Sequence, residues 1–119
     1  ASISYYSSLA RTYYFWPHKL KIGKNCTIEQ NCFFKHDGIF SEGNSIIIGD
    51  NVFLGNSVEF NIKEKIEIGS NSLIGSGSRF IDHDHGLENN VLIKNQACPT
   101  KPIKIEEDVW IGCNVVVLK

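Results

Sequence analysis

The sequence predicts an all-β solenoid, a parallel β-helix, and three observations carry that expectation. Four segments of the 119-residue chain begin alike: Ile22-Gly23-Lys24-Asn25, Ile48-Gly49-Asp50-Asn51, Ile68-Gly69-Ser70-Asn71 and Ile105-Glu106-Glu107-Asp108. From each start, large apolar residues recur at steps of six: Ile22, Ile28, Phe34; Ile48, Leu54, Phe60; Ile68, Ile74, Phe80; and Ile105, Ile111, Val117. A second register, four residues further on, holds Cys26, Cys32, Gly38, Val52, Val58, Ser72, Ser78, Val109 and Val115, all small.

The spacing explains the fold. Alternate side chains of an extended segment share a face, so positions i and i+4 both point inward. A six-residue step with a turn after each short strand coils the chain into a prism, with one large and one small inward residue per side. The residues between the two registers are Gly, Asn, Asp, Ser and Lys, which suit turns and solvent. Each coil buries its faces only by stacking on its neighbours. An amphipathic helix needs apolar residues at three- and four-residue steps, and an antiparallel sandwich places turns at wider intervals.

Upstream of the repeat, Tyr6, Leu9, Tyr13 and Trp16 fall at three- and four-residue spacing and stop before Pro17. That pattern predicts a short N-terminal helix within residues 1–19, capping the open first coil. Residues 20–119 then form the β-helix domain. Its longest departure from the repeat follows Phe80, a loop over about 81–102 that passes through Gly86, Asn89, Asn90, Pro99 and Pro102. Long loops on rigid scaffolds are common sites of function. The chain stops at Lys119, directly after the fourth repeat, and further C-terminal coils are expected beyond it.

Composition narrows the function. Twelve basic and thirteen acidic residues leave a net charge of -1, which argues against a nucleic-acid partner. No apolar stretch approaches the ~20 residues of a membrane span, and the first residues lack the blocks of a signal peptide. A cytoplasmic location is expected, with Cys26, Cys32, Cys98 and Cys113 as free thiols, since none forms a CxxC pair.

The [Ile/Leu/Val]-Gly-x-x-small-x repeat, from about Leu20 to Lys119, resembles the hexapeptide-repeat acyltransferases. The resemblance implies a left-handed β-helix, a homotrimer with sites in grooves between solenoids, and acetyl-CoA as acetyl donor. A second mark is Lys101-Pro102-Ile103-Lys104-Ile105-Glu106-Glu107-Asp108-Val109-Trp110-Ile111-Gly112, which is similar to the segment that follows the catalytic loop in sugar acetyltransferases.

The chemistry is expected in Phe80-Ile81-Asp82-His83-Asp84-His85-Gly86, at the mouth of the loop. An imidazole titrates near neutral pH and can take the proton of a hydroxyl as that oxygen attacks a thioester. Counting from Phe80 as in the maltose and galactoside acetyltransferases, the resemblance assigns His85 as general base and His83 as a supporting contact. Gly86 stands where those relatives carry Pro, a departure that resembles the polysaccharide and nodulation-factor branch. Asp82 and Asp84 are candidates to orient the imidazole, by proximity alone. Trp110, Gly112 and Asn61 are candidates for contact with the cofactor or the acceptor, and Trp110 is equally suited to a subunit contact. Asp108 reads as a turn residue, Cys26 and Cys32 as packing.

The expected reaction is therefore O-acetylation of a hydroxyl on a sugar or polysaccharide precursor, by direct transfer and without a metal. Two alternatives stay open. His83 and His85 form an H-x-H pair, and the γ-class carbonic anhydrases share this solenoid with zinc held between subunits. A non-catalytic assembly scaffold would need neither histidine.

Overall fold

Fifteen short strands wind the chain into five coils in the computed structural model, which describes residues 1–119. Each coil contributes one strand to each of three parallel sheets. The first sheet stacks β1 (Ser2–Ile3), β4 (Leu20–Ile22), β7 (Ile46–Ile48), β10 (Ile66–Ile68) and β13 (Ile103–Ile105). The second stacks β2 (Ser8–Leu9), β5 (Thr27–Ile28), β8 (Phe53–Leu54), β11 (Leu73–Ile74) and β14 (Trp110–Ile111). The third stacks β3 (Tyr13–Phe15), β6 (Phe33–His36), β9 (Glu59–Ile62), β12 (Arg79–Ile81) and β15 (Val116–Leu118). The molecule is a parallel β-helix, and no helix is long and apolar enough to cross a membrane.

The six-residue register builds the core. Ile22, Ile28, Phe34, Ile48, Leu54, Phe60, Ile68, Ile74 and Phe80 are all buried, and they stack on one another from coil to coil. In the third sheet the stack is aromatic. Tyr14, Phe34, Phe60 and Phe80 lie in a column with ring centroids 5.9, 5.2 and 5.0 Å apart, and the last two pairs are within 9° of parallel.

The small register has a second use besides fitting the corner. Cys26 Sγ donates to the Gly49 carbonyl at 3.0 Å and Cys32 Sγ to that of Gly55 at 3.2 Å. Ser72 Oγ and Ser78 Oγ do the same for Glu106 and Gly112, at 3.2 and 2.8 Å. Each thus hydrogen-bonds a carbonyl at the corner of the next coil, which the strand ladders leave free. Burial pushes both cysteine thiols up from their ordinary pKa, in keeping with a packing role. Gly38 departs from the register: it is exposed, because the chain leaves the prism after His36.

Two corners of each regular coil turn through one left-handed residue. Asn25, Asn51, Asn71 and Asp108 take the first, with φ between 55° and 63°. Asn tolerates this region because its short side chain bonds locally. Asp108 is thereby a turn residue, as its position in the repeat suggests. The glycine after the first apolar residue has another cause, close approach. A Cβ on Gly49 would lie 2.7 Å from Ser70 Oγ and 2.8 Å from Ser70 N in the coil above.

The N-terminal helix expected within residues 1–19 does not form. Residues 2–15 make a first coil instead, with Ile3 beside Ile22, Leu9 beside Ile28 and Tyr14 beside Phe34. The only helical residues there are one 3-10 turn, Pro17–Lys19. The edge of a neighbouring sheet satisfies backbone groups that an isolated short helix leaves to water, and helices this short are marginal alone. Tyr6 occupies the corner position held by Asn25 in the next coil, with φ 61° and its ring exposed. In that region Cβ crowds the following carbonyl oxygen, and an aromatic side chain lacks the local hydrogen bond with which Asn offsets the cost. Tyr6→Asn is therefore expected to stabilise the chain by about 0.5–1 kcal/mol in urea titration.

Candidate functional site

All of the longer departures from the repeat open at one corner, where the third sheet hands the chain to the first. They are the segments 16–19, 37–45, 63–65 and 82–102. Side chains on these segments therefore meet along one edge of the prism, whatever their separation in sequence.

Asp82 is the pivot of that edge. It follows Phe80 by two residues and points inward like Ile62 after Phe60, and it is 0% exposed. A carboxylate at an apolar position needs donors, and the corner supplies them. Oδ1 accepts the Lys63 N–H at 2.8 Å, and Oδ2 accepts the Glu64 and Lys65 N–H groups at 2.7 and 3.0 Å. The fourth partner is His83 Nδ1, 3.0 Å from Oδ1. With three backbone donors already facing it, the carboxylate can only accept from the ring. Nδ1 is thus assigned the hydrogen, and Nε2 keeps its lone pair.

His83 is itself buried, and its Nε2 lies 3.7 Å from Asp37 Oδ2, too far for a hydrogen bond. Asn61 Oδ1 is the one fully buried side-chain oxygen or nitrogen without a hydrogen-bond partner. Nε2 also lacks such a partner, so it keeps some contact with solvent. Asp37 in turn faces Lys35 and Lys63, at 3.7 and 3.6 Å. The arrangement is a carboxylate, an imidazole fixed in one tautomer, and a second carboxylate placed to support a positive charge on the ring.

Further bonds hold the site rigid. The loop starts and ends as an antiparallel ribbon, with His83 opposite Thr100. Asp84 N donates to Pro99 O and Lys101 N to Asp82 O, both at 3.0 Å. Thr100 Oγ1 reaches Glu64 Oε2 at 2.6 Å, so the far side of the ribbon is tied to the same turn that Asp82 clamps. Below the site, His36 is buried against Ser45 Oγ at 2.9 Å. Burial lowers its pKa from the ordinary value, with Lys19 adding to the effect.

The expected site residues separate into two groups. Asp82, His83 and His85 share the loop mouth, and Asn61 lies on β9 beside Ile81 of β12. Asp84 does not orient a histidine: its carboxylate pairs with Lys119 Nζ at 2.9 Å. His85 is exposed and has no carboxylate partner; its Nδ1 is 3.8 Å from Cys98 Sγ. Trp110 and Gly112 stand apart from these. Trp110 is 79% exposed on β14, in the second sheet, in line with Leu73 and Phe53, and Gly112 follows at the next corner. Within one chain the prism places them away from the edge that carries His83.

Sequence reasoning missed Asp37 and Cys98. Asp37 carries a signal, since it directly follows the inward His36 as His83 follows Asp82. No three His, Cys, Asp or Glu side chains converge as a metal-binding group within the chain. No family model, curated protein or solved structure matches this sequence.

Proposed function

We propose that this chain is an acyltransferase that moves an acetyl group from acetyl-CoA to a hydroxyl of a sugar or polysaccharide precursor, with His83 as general base. The observation that carries the reading is the Asp82–His83 pair. A buried carboxylate with every acceptor position filled fixes the tautomer that leaves Nε2 basic. The resemblance of the repeat and of the Trp110-Ile111-Gly112 segment to sugar acetyltransferases supports the donor and the acceptor class.

The base assignment moves from His85 to His83 for a physical reason. A base for a hydroxyl works best when its imidazole is held in one orientation, and of the two loop histidines only His83 has a carboxylate that does this. Nε2 takes the proton of the acceptor hydroxyl as its oxygen attacks the thioester carbonyl. The C–S bond then breaks and the CoA thiolate recovers that proton. Asp37 supports the imidazolium that exists between these two transfers. Asn61, half-buried on the neighbouring strand beside Ile81, is the residue there with a polar side chain for a contact with the acceptor.

Trp110 and Gly112 join the site only if a second copy brings its second sheet to the loop edge, which is the arrangement of a homotrimer with sites between solenoids. The outward column of half-buried Phe53 with exposed Leu73 and Trp110 supports such a contact. The test is release of free CoA from acetyl-CoA, followed by a thiol reagent, with and without a panel of sugar hydroxyl acceptors. Acceptor-dependent release is the expected result. Release that no acceptor increases would reject the transferase.

A further inference from the structure

We propose that Cys98 and His85 form a second nucleophilic centre, in which the Cys98 thiol takes an acyl group from a thioester. The ribbon at the base of the loop brings their segments together. Residues 83 and 100 face one another in the ribbon, and the bonds on either side, from residue 84 to 99 and from 101 to 82, make them a non-hydrogen-bonded pair. The ladder ends there, because Pro99 has no N–H to return to Asp84, but the two segments stay close enough beyond it for Cys98 Sγ to lie 3.8 Å from His85 Nδ1.

The surroundings suit a small acyl donor. Cys98 lines a cavity of about 470 Å³ whose walls include Gly86, Val91, Ala97 and Pro99. That volume is within the range of small-molecule sites, roughly 300–1,000 Å³. Gln96 holds the cavity open. Its Oε1 accepts the Glu88 N–H at 2.9 Å, and its Nε2 donates to the Glu88 and Val91 carbonyls at 3.1 and 2.9 Å. One side chain thus bridges the loop at three points, and the thiol stands on a braced wall.

The thiol is the nucleophile only as thiolate, and a neighbouring base supplies that form. His85 takes the Cys98 proton, Sγ attacks the thioester carbonyl, and the C–S bond to the donor breaks. The donor thiolate then takes the proton from His85. One thioester replaces another, so the exchange is redox-neutral and needs no further reactant. Cys113 is the natural internal control: it is also a free thiol, exposed, and has no imidazole beside it.

The inference rests on the transferase reading for the identity of the donor, not for the nucleophile. The experiment incubates the intact chain and its His85→Gln variant with S-acetyl-N-acetylcysteamine, a thioester without the nucleotide, and in parallel with acetyl-CoA. Acid-quenched samples are digested and the acetylated peptides counted by mass. Cys98 should acylate at least about tenfold faster than Cys113 with the small thioester, and His85→Gln should remove that advantage. Equal rates at the two cysteines, or an advantage that survives His85→Gln, overturns the proposal. Acylation of Cys98 without acceptor-dependent CoA release would uphold this centre while rejecting the transferase. Turnover on a chain whose Cys98 stays unmodified would do the reverse.

Discussion

Asp82→Asn should destabilise the chain by about 2–4 kcal/mol and remove the fixed tautomer of His83 together. The substitution keeps the shape and replaces one acceptor oxygen with a donor nitrogen. In one amide orientation the new NH2 faces the Glu64 and Lys65 N–H groups; in the other it faces Lys63 N–H and His83 Nδ1. The first leaves two donors without an acceptor; the second leaves only Lys63 N–H, because the imidazole can move its hydrogen to Nε2 and accept from the new NH2, and this less costly orientation is the one that reverses the tautomer. Partial solvent access at the turn keeps the cost below that of a fully dry site. Urea denaturation measures the loss, and a change of less than about 0.5 kcal/mol would mean that the clamp does not hold the corner.

Phe60→Ala should cost more, about 3–5 kcal/mol. Phe60 is 0% exposed and sits mid-column, with Phe34 on one side and Phe80 on the other. Truncation leaves a cavity that the flanking rings cannot fill, since each is fixed by its own coil. The stack also carries offset ring contacts beyond the area that is buried. Because each coil rests only on its neighbours, the loss falls in the middle of the solenoid and weakens both halves. The same substitution at Tyr14, half-exposed at the end of the column, should cost clearly less in the same titration.

The last four coils were legible because their inward positions repeat at six residues and their corners use Asn, Asp, Gly or Ser. The first coil hid itself in two ways. Tyr6 replaces the corner Asn, and the step from Leu9 to Tyr14 is five, which left Tyr6, Leu9, Tyr13 and Trp16 at helical spacing. Local periodicity favoured a helix, and pairing with the next coil won.

The site was half legible. The loop after Phe80 and its Asp-His-Asp-His run stood out, and alternation alone would have sent Asp82 inward, as it sends Ile62 and His36. What the spacing could not give was which histidine that carboxylate would hold. The count from Phe80 pointed to His85, whereas the chain turns at once after Asp82 and keeps His83 against it. Cys98 was beyond reach, because its place beside His85 exists only once the base of the loop closes as a ribbon.

The most direct test of the proposed chemistry compares acceptor-dependent CoA release by the unaltered chain with that of His83→Gln and His85→Gln, each first shown to retain the stability of the parent. Turnover should fall by about 10²–10⁴ in His83→Gln, the usual worth of a positioned base. Turnover that survives His83→Gln at the parent rate, or a full loss confined to His85→Gln, would contradict His83 as the base.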